Sequence, residues 1–152
     1  MLKQSLLLLS SLLVANSAFA TITVHVKNDS KYDVSLKSME SSIAIYNVLP
    51  PSMIPAYGTG TFSVDSIYPT TVNVADVEYE IDNGYAKPLC HFRFVMLSDY
   101  RTGKMTPQPM ITEDEGGSYG NRAKCDGVLN YVDLYGNSGN ATVTFTIKDS
   151  RY

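Results

Sequence analysis

The sequence predicts an all-β protein, an antiparallel β-sandwich of one domain stapled by one disulfide. Three observations lead there. Apolar and polar residues alternate with a period of two in several short runs. Clusters of Asn, Asp, Gly, Ser and Pro separate those runs. Two cysteines lie in a chain whose first residues are built for export.

The chain opens MLKQSLLLLSSLLVANSAFA. Lys3 supplies a positive start, Leu6 to Val14 an apolar run, and Ala18-Phe19-Ala20 the small-x-small pattern of a processing site. A membrane anchor needs about 20 predominantly apolar residues, and this run is shorter. Residues 1–20 therefore read as a cleavable signal peptide, and the expected location is secreted or periplasmic. The remaining residues, 21–152, make a single domain large enough to bury a core of its own. Without Lys3 they carry eleven Lys/Arg against fifteen Asp/Glu, formally −4. A mildly acidic chain with no basic run excludes a nucleic-acid partner and disfavours an anionic membrane.

The strands follow in order. Ile22, Val24 and Val26 alternate with Thr23, His25 and Lys27; after the polar turn Asn28-Asp-Ser-Lys31 the pattern resumes at Tyr32, Val34 and Leu36. The two runs predict a β-hairpin. Ser42 to Leu49 is a third apolar stretch, stopped by Pro50-Pro51, and Met39 to Ile45 is the one place for a turn or two of helix. A Pro/Gly-rich connection leads into a strand at Thr61 to Val64. Thr70 to Asp82 is a long strand whose phase slips near Ala75-Asp76, which predicts a β-bulge. Asp82-Asn83-Gly84 turns it into a return strand over Leu89 to Leu97. On this hairpin Glu78, Glu80 and Asp82 form an acidic row, with His91 and Arg93 as cross-strand neighbours. Ser98 to Lys124 dissolves into Gly, Pro, Thr and charge and reads as a long loop. Val128 to Tyr135 and Ala141 to Lys148 close the chain, the second with threonines at 142, 144 and 146.

Cys90 and Cys125 read as one structural disulfide. Neither lies in a CxxC, and His91 points to the opposite strand face from Cys90, so a metal or thiol site is the weaker reading. No catalytic residues are assigned: His25 and His91 each sit in plain alternation, without a nucleophile elbow or a metalloprotease motif. No metal or cofactor is expected. Glu113-Asp114-Glu115-Gly116-Gly117 offers oxygen ligands but lacks the alternating spacing of a calcium loop. The chain has eleven tyrosines and no tryptophan, and tyrosine suits binding faces. The candidate binding surface is the long loop, with Tyr100, Arg101, Glu113, Asp114, Glu115 and Tyr119. Asn28-Asp-Ser30 and Asn140-Ala-Thr142 match the short N-glycosylation pattern.

The opening Ile22-Thr-Val-His-Val-Lys-Asn-Asp-Ser-Lys-Tyr-Asp-Val-Ser-Leu36, followed by Leu49-Pro-Pro-Ser-Met-Ile-Pro-Ala-Tyr-Gly-Thr-Gly-Thr-Phe62, resembles the aegerolysin-type secreted β-sandwiches over roughly the first third of the exported chain. The resemblance implies a sandwich of that kind, beside the immunoglobulin-like alternative, and implies lipid or pore activity; the tryptophans that family uses on lipid are absent here. The sequence thus leads to an exported, non-enzymatic binding or interaction protein with a protein or surface ligand, in the manner of a secreted bacterial host-directed virulence factor. A membrane-active protein and a small secreted hydrolase are the alternatives. The hydrolase requires His25 or His91 within reach of a Ser or Asp.

Overall fold

A computed structural model describes residues 20–66, 71–84, 87–115, 122–133 and 139–149. The leader up to residue 19, Tyr119 and the glycines at 116, 117 and 136 lie outside the described residues. What is described is all-β, in two packed sheets joined by the Cys90–Cys125 disulfide. Eleven strands are formed: β1 Thr21–Asn28, β2 Val34–Met39, β3 Ala44–Val48, β4 Met53–Ile54, β5 Thr59–Ser66, β6 Val72–Ile81, β7 Leu89–Ser98, β8 Met105–Pro107, β9 Ile111–Glu115, β10 Ala123–Val132 and β11 Ala141–Asp149. The first sheet runs β10-β11-β1-β5-β3; the second runs β4-β2-β6-β7-β8, with β9 also paired to β7.

The core lies between the inward faces. Ile22, Val24 and Val26 of β1, Phe62 and Val64 of β5, and Val143, Phe145 and Ile147 of β11 meet Val77, Tyr79 and Ile81 of β6 and Phe92, Phe94 and Met96 of β7. Phe92 stacks on Phe145 across the layers, ring centroids 4.6 Å apart. In β1, β5, β7 and β11 the period-2 pattern matches the burial, as it must where one face meets a core and the other solvent.

Four expectations are corrected. First, β1 and β2 are not a hairpin: β1 pairs with β5 and β11, and β2 with β4 and β6, so the link carries the chain between sheets. Alternation marks a half-buried strand but is silent on whether two strands meet edge to edge or across the core. Asn28 makes the crossing. It keeps the inward phase of β1, is fully buried, and donates to the carbonyls of Tyr32, Ile54 and Pro55. That burial also keeps its glycosylation pattern out of reach in the folded chain.

Second, the sheets are not wholly antiparallel. β1 and β11 run parallel, with Val24 opposite Val143; they are the first and last strands, so no tight turn has to join them. Third, β6 carries no bulge against β7, whose register is unbroken from Val72–Leu97 to Glu80–Leu89. The apparent slip arises because a buried Asn73 occupies an inward position, leaving Val72 and Val74 on the outer face. The irregularity lies on β2, between Leu36 and Ser38.

Fourth, the stretch 98–124 is not one loop. β8 and β9 both add to the edge of β7, Met96 opposite Pro107 and Arg93 opposite Ile111. Pro109 stands between them, and a residue without an N–H breaks an edge strand into pieces too short to read in sequence.

Candidate functional site

The residues assigned to the predicted loop are distributed by β7 rather than gathered. Tyr100 and Arg101 sit on the tight β7–β8 turn, where Asp99 Oδ1 accepts from the Arg101 and Thr102 amides at 2.7 and 3.1 Å. Tyr100 is 95% exposed there. Glu113, Asp114 and Glu115 lie on β9, opposite His91, Cys90 and Leu89. At ~3.3 Å per residue the two groups are roughly 23 Å apart along β7. A strand also turns Glu113 and Asp114 to opposite faces, so the acidic run is not a loop wrapping a cation. Among the described residues, no group of three or more His, Cys, Asp or Glu is arranged to hold a metal ion.

The disulfide is where it was expected, but it does more than tie down a loop. Cys90 is on β7 of one sheet and Cys125 on β10 of the other, Cα atoms 5.7 Å apart, so it staples the two layers at one edge. Gly127 eases that closure: a Cβ there would lie 3.0 Å from Thr112 Cγ2 and 3.2 Å from Met110 Sδ, so a side chain would have to push these neighbours back by a few tenths of an ångström.

On the outer face of the second sheet the predicted acidic row is present, and His91 reaches past its register partner Glu78 to Asp76, the partner of Arg93. Asp76 receives Arg93 Nε at 2.5 Å and contacts His91 Nε2 at 2.8 Å, while Glu113 lies 3.9 Å from the other ring nitrogen. Glu78 accepts from Ser38 at 2.7 Å, and Glu80 pairs with Lys37 at 3.1 Å. Beneath this face Tyr46 donates to the carbonyls of Glu40 and Asp76, and burial, reinforced by the Asp76 and Glu40 charges, pushes its phenol up to about 12. Burial also raises the Tyr79 phenol, with Tyr46 adding to it. His25 lies on the outer face of the other sheet, Nδ1 2.9 Å from Thr61 Oγ1. Each histidine thus holds half of what a hydrolase needs, one an acid and one a hydroxyl, on opposite sides of the sandwich.

The feature missed in the sequence is at the edge opposite the disulfide. There β3 ends the first sheet and β4 the second, and the connection from β3 to β4 wraps from one to the other. Six of the eleven exposed large apolar side chains among the described residues fall here within 15 residues: Ile43, Ile45, Val48, Leu49, Met53 and Tyr57. Leu49 is 64%, Met53 55% and Tyr57 73% exposed.

The backbone under them is held firmly. The Leu36 amide donates to Ser52 O at 2.9 Å, Tyr79 Oη to Pro51 O at 3.0 Å, and Asn28 Nδ2 to Ile54 O and Pro55 O at 3.2 and 3.0 Å. Asp33 Oδ1 accepts from the Ala56 amide at 2.9 Å. Gly60 lets Pro51 and Ile54 lie directly on β5, in space a Cβ would fill. Tyr57 takes a φ of 58°, left-handed for a non-glycine residue, which costs roughly 1–2 kcal/mol and aims its ring outward. The edge is a rigid backbone presenting apolar side chains to the outside. One signal for it was present: Ile43-Ala-Ile-Tyr-Asn-Val-Leu49 is apolar in both strand phases, although an edge strand buries only one.

No family model matches the chain, and no curated protein matches it. Among solved structures it is similar to one described as the lipid binding protein Nakanori, with a TM-score of 0.59 and 13% identity, covering 85% of this chain and 71% of that one. At that identity the likeness establishes the shared β architecture.

Proposed function

We propose that the protein is an exported, non-enzymatic binding protein that engages lipid bilayers through its open apolar edge. The observation that carries this reading is the run of exposed Ile43, Ile45, Val48, Leu49, Met53 and Tyr57 along one braced edge segment of 15 residues. Contiguous exposed apolar groups on a soluble fold mark a protein or membrane contact. Aliphatic side chains with a flanking tyrosine suit the boundary between acyl chains and headgroups. The similarity to a lipid-binding protein supports the choice of lipid.

The charge defines the bilayer. A formal −4 on the exported chain repels an anionic leaflet, so apolar insertion must drive the association. Co-sedimentation with zwitterionic phosphatidylcholine vesicles tests this: a bound fraction insensitive to salt and not increased by anionic lipid is expected. The variant carrying serine at 45, 48, 49 and 53 should stay in the supernatant. Absence of a bound fraction across neutral and anionic compositions would overturn the assignment.

A further inference from the structure

The processing point read from Ala18-Phe19-Ala20 falls on an enclosed part of the fold. Ala20 is buried beside Gly139, and its carbonyl accepts from Asn73 Nδ2 at 2.5 Å. The Thr21 amide donates to Asn140 Oδ1 at 2.9 Å, and the Thr21 hydroxyl donates to Asp65 Oδ1 at 2.6 Å. Asn73 is itself fully buried within the core, yet its Oδ1 has no hydrogen-bond partner. Buried polar atoms are rarely left unpaired, and one that is unpaired calls for an explanation.

Hydrolysis of the Ala20–Thr21 peptide bond changes which groups this buried site has to satisfy. Water gives its oxygen to the Ala20 carbonyl, which leaves with the leader as a carboxylate, and the Thr21 nitrogen becomes an α-ammonium. The cut takes away the acceptor Asn73 Nδ2 was holding. It also replaces one N–H by three donors and a positive charge at the same spot. A half-turn of the Asn73 amide, whose two ends have nearly the same shape, presents Oδ1 where Nδ2 now lies, and gives up only the long 3.4 Å contact from Nδ2 to Val64 O. Asn140 Oδ1 is already on that nitrogen, and the Asp65 carboxylate, opposite Thr21 in the β1–β5 register, supplies the counter-charge.

We propose that Asn73, Asn140 and Asp65 form a receptor for the new N-terminus, so that removal of the leader at Ala20 completes the fold. Thr21 pairs with Asp65 in the sheet and Ala20 is enclosed, so cutting precedes docking of β1. The inference rests on the reading of residues 1–20 as a processed leader and is independent of lipid binding.

The test starts from protein recovered after export, whose mass should correspond to a chain beginning at Thr21. Its α-amine should react with an amine-directed acylating reagent roughly tenfold more slowly than in urea, as expected for an enclosed, ion-paired ammonium. Asp65→Asn should speed that reaction, and should lower the Tm of the Thr21 chain more than that of a chain extended to begin at Ala20. A first residue other than Thr21, equal reactivity in native and denatured protein, or equal Asp65→Asn effects on the two chains would each overturn it. The reactivity comparison needs no variant, so it stands even where Asp65→Asn fails to fold.

Discussion

Replacing Leu49 by serine separates binding from folding more cleanly than any other single change. Full burial of a leucine side chain is worth about 1.5–3 kcal/mol. Leu49 is 64% exposed in the free protein, so entry into a bilayer removes roughly two-thirds of that surface from water, worth about 1–2 kcal/mol. At ~1.4 kcal/mol per decade, Leu49→Ser should weaken partitioning onto phosphatidylcholine vesicles by about 5- to 30-fold. The same exposure means the fold loses almost nothing, within about 0.5 kcal/mol. The assay is a vesicle titration read by co-sedimentation, with a urea melt of each variant alongside. Tyr100→Ser is the control: that ring is 95% exposed but stands on the β7–β8 turn, at the far side of its sheet from β4. Wild-type partitioning by Leu49→Ser, or an equal loss from Tyr100→Ser, would refute insertion through this edge.

Reducing the disulfide, or replacing both cysteines by alanine, should lower unfolding free energy by about 4 kcal/mol in the chain-entropy model for a sequence separation of 35; a urea midpoint unchanged by reductant would contradict it. Asn28→Ala removes a buried donor from Ile54 O, and from Tyr32 O and Pro55 O, which keep Ser30 Oγ and the Gly58 amide, and it takes the acceptor from the Ser30 amide; it should cost about 1–3 kcal/mol in the same melt. Alkali should destabilise the protein through Tyr46. Its phenol is raised to about 12, so the unfolded chain ionises near 10 while the folded one does not. Stability is whole below pH ~10 and falls as the pH climbs towards about 12. Tyr46→Phe should flatten that decline in pH-dependent denaturant melts, and an undiminished slope would argue against it. Tyr57→Gly, which relieves a left-handed φ, should hold stability within about 1 kcal/mol of wild type while reducing vesicle binding.

Burial periodicity was legible wherever a strand has one wet and one dry face. β1, β7 and β11 were found close to their true bounds for that reason, β5 was read two residues short at each end, and Asn83-Gly84 located the β6–β7 turn, where Gly84 has a φ of 80°. Pairing was less legible. Tyr32 to Leu36 looks the same whether β2 lies beside β1 or across the core from it, and only the carbonyls gathered by Asn28 decide the matter. β8 and β9 were hidden because strands of three and five residues divided by Pro109 leave no alternation to count. The charged face was half visible: register places Glu78 opposite His91, but the His91 ring reaches diagonally to Asp76. The apolar edge was not legible because Ser42 to Leu49 is an apolar stretch whichever strand position it takes, and only the sheet order puts β3 at an edge.

The two edges of the sandwich are built on opposite principles, and the contrast explains why one of them can stay open. At the β9–β10 edge the layers are joined covalently and packed across Gly127. That closure fixes the sheets to one another at this edge. At the β3–β4 edge the layers are bridged by a segment that folds over Pro50 and Pro51 and is strapped through its backbone, by Tyr79, Leu36 and Asn28. Strapping through carbonyls leaves the side chains unused, so Val48, Leu49 and Met53 are free to be apolar and outward-facing without weakening the core. An edge designed only to be silent would carry lysine or an inward-pointing charge at those positions. Their apolar character, on a backbone already held in place by the fold, has its physical use when a second apolar phase meets it.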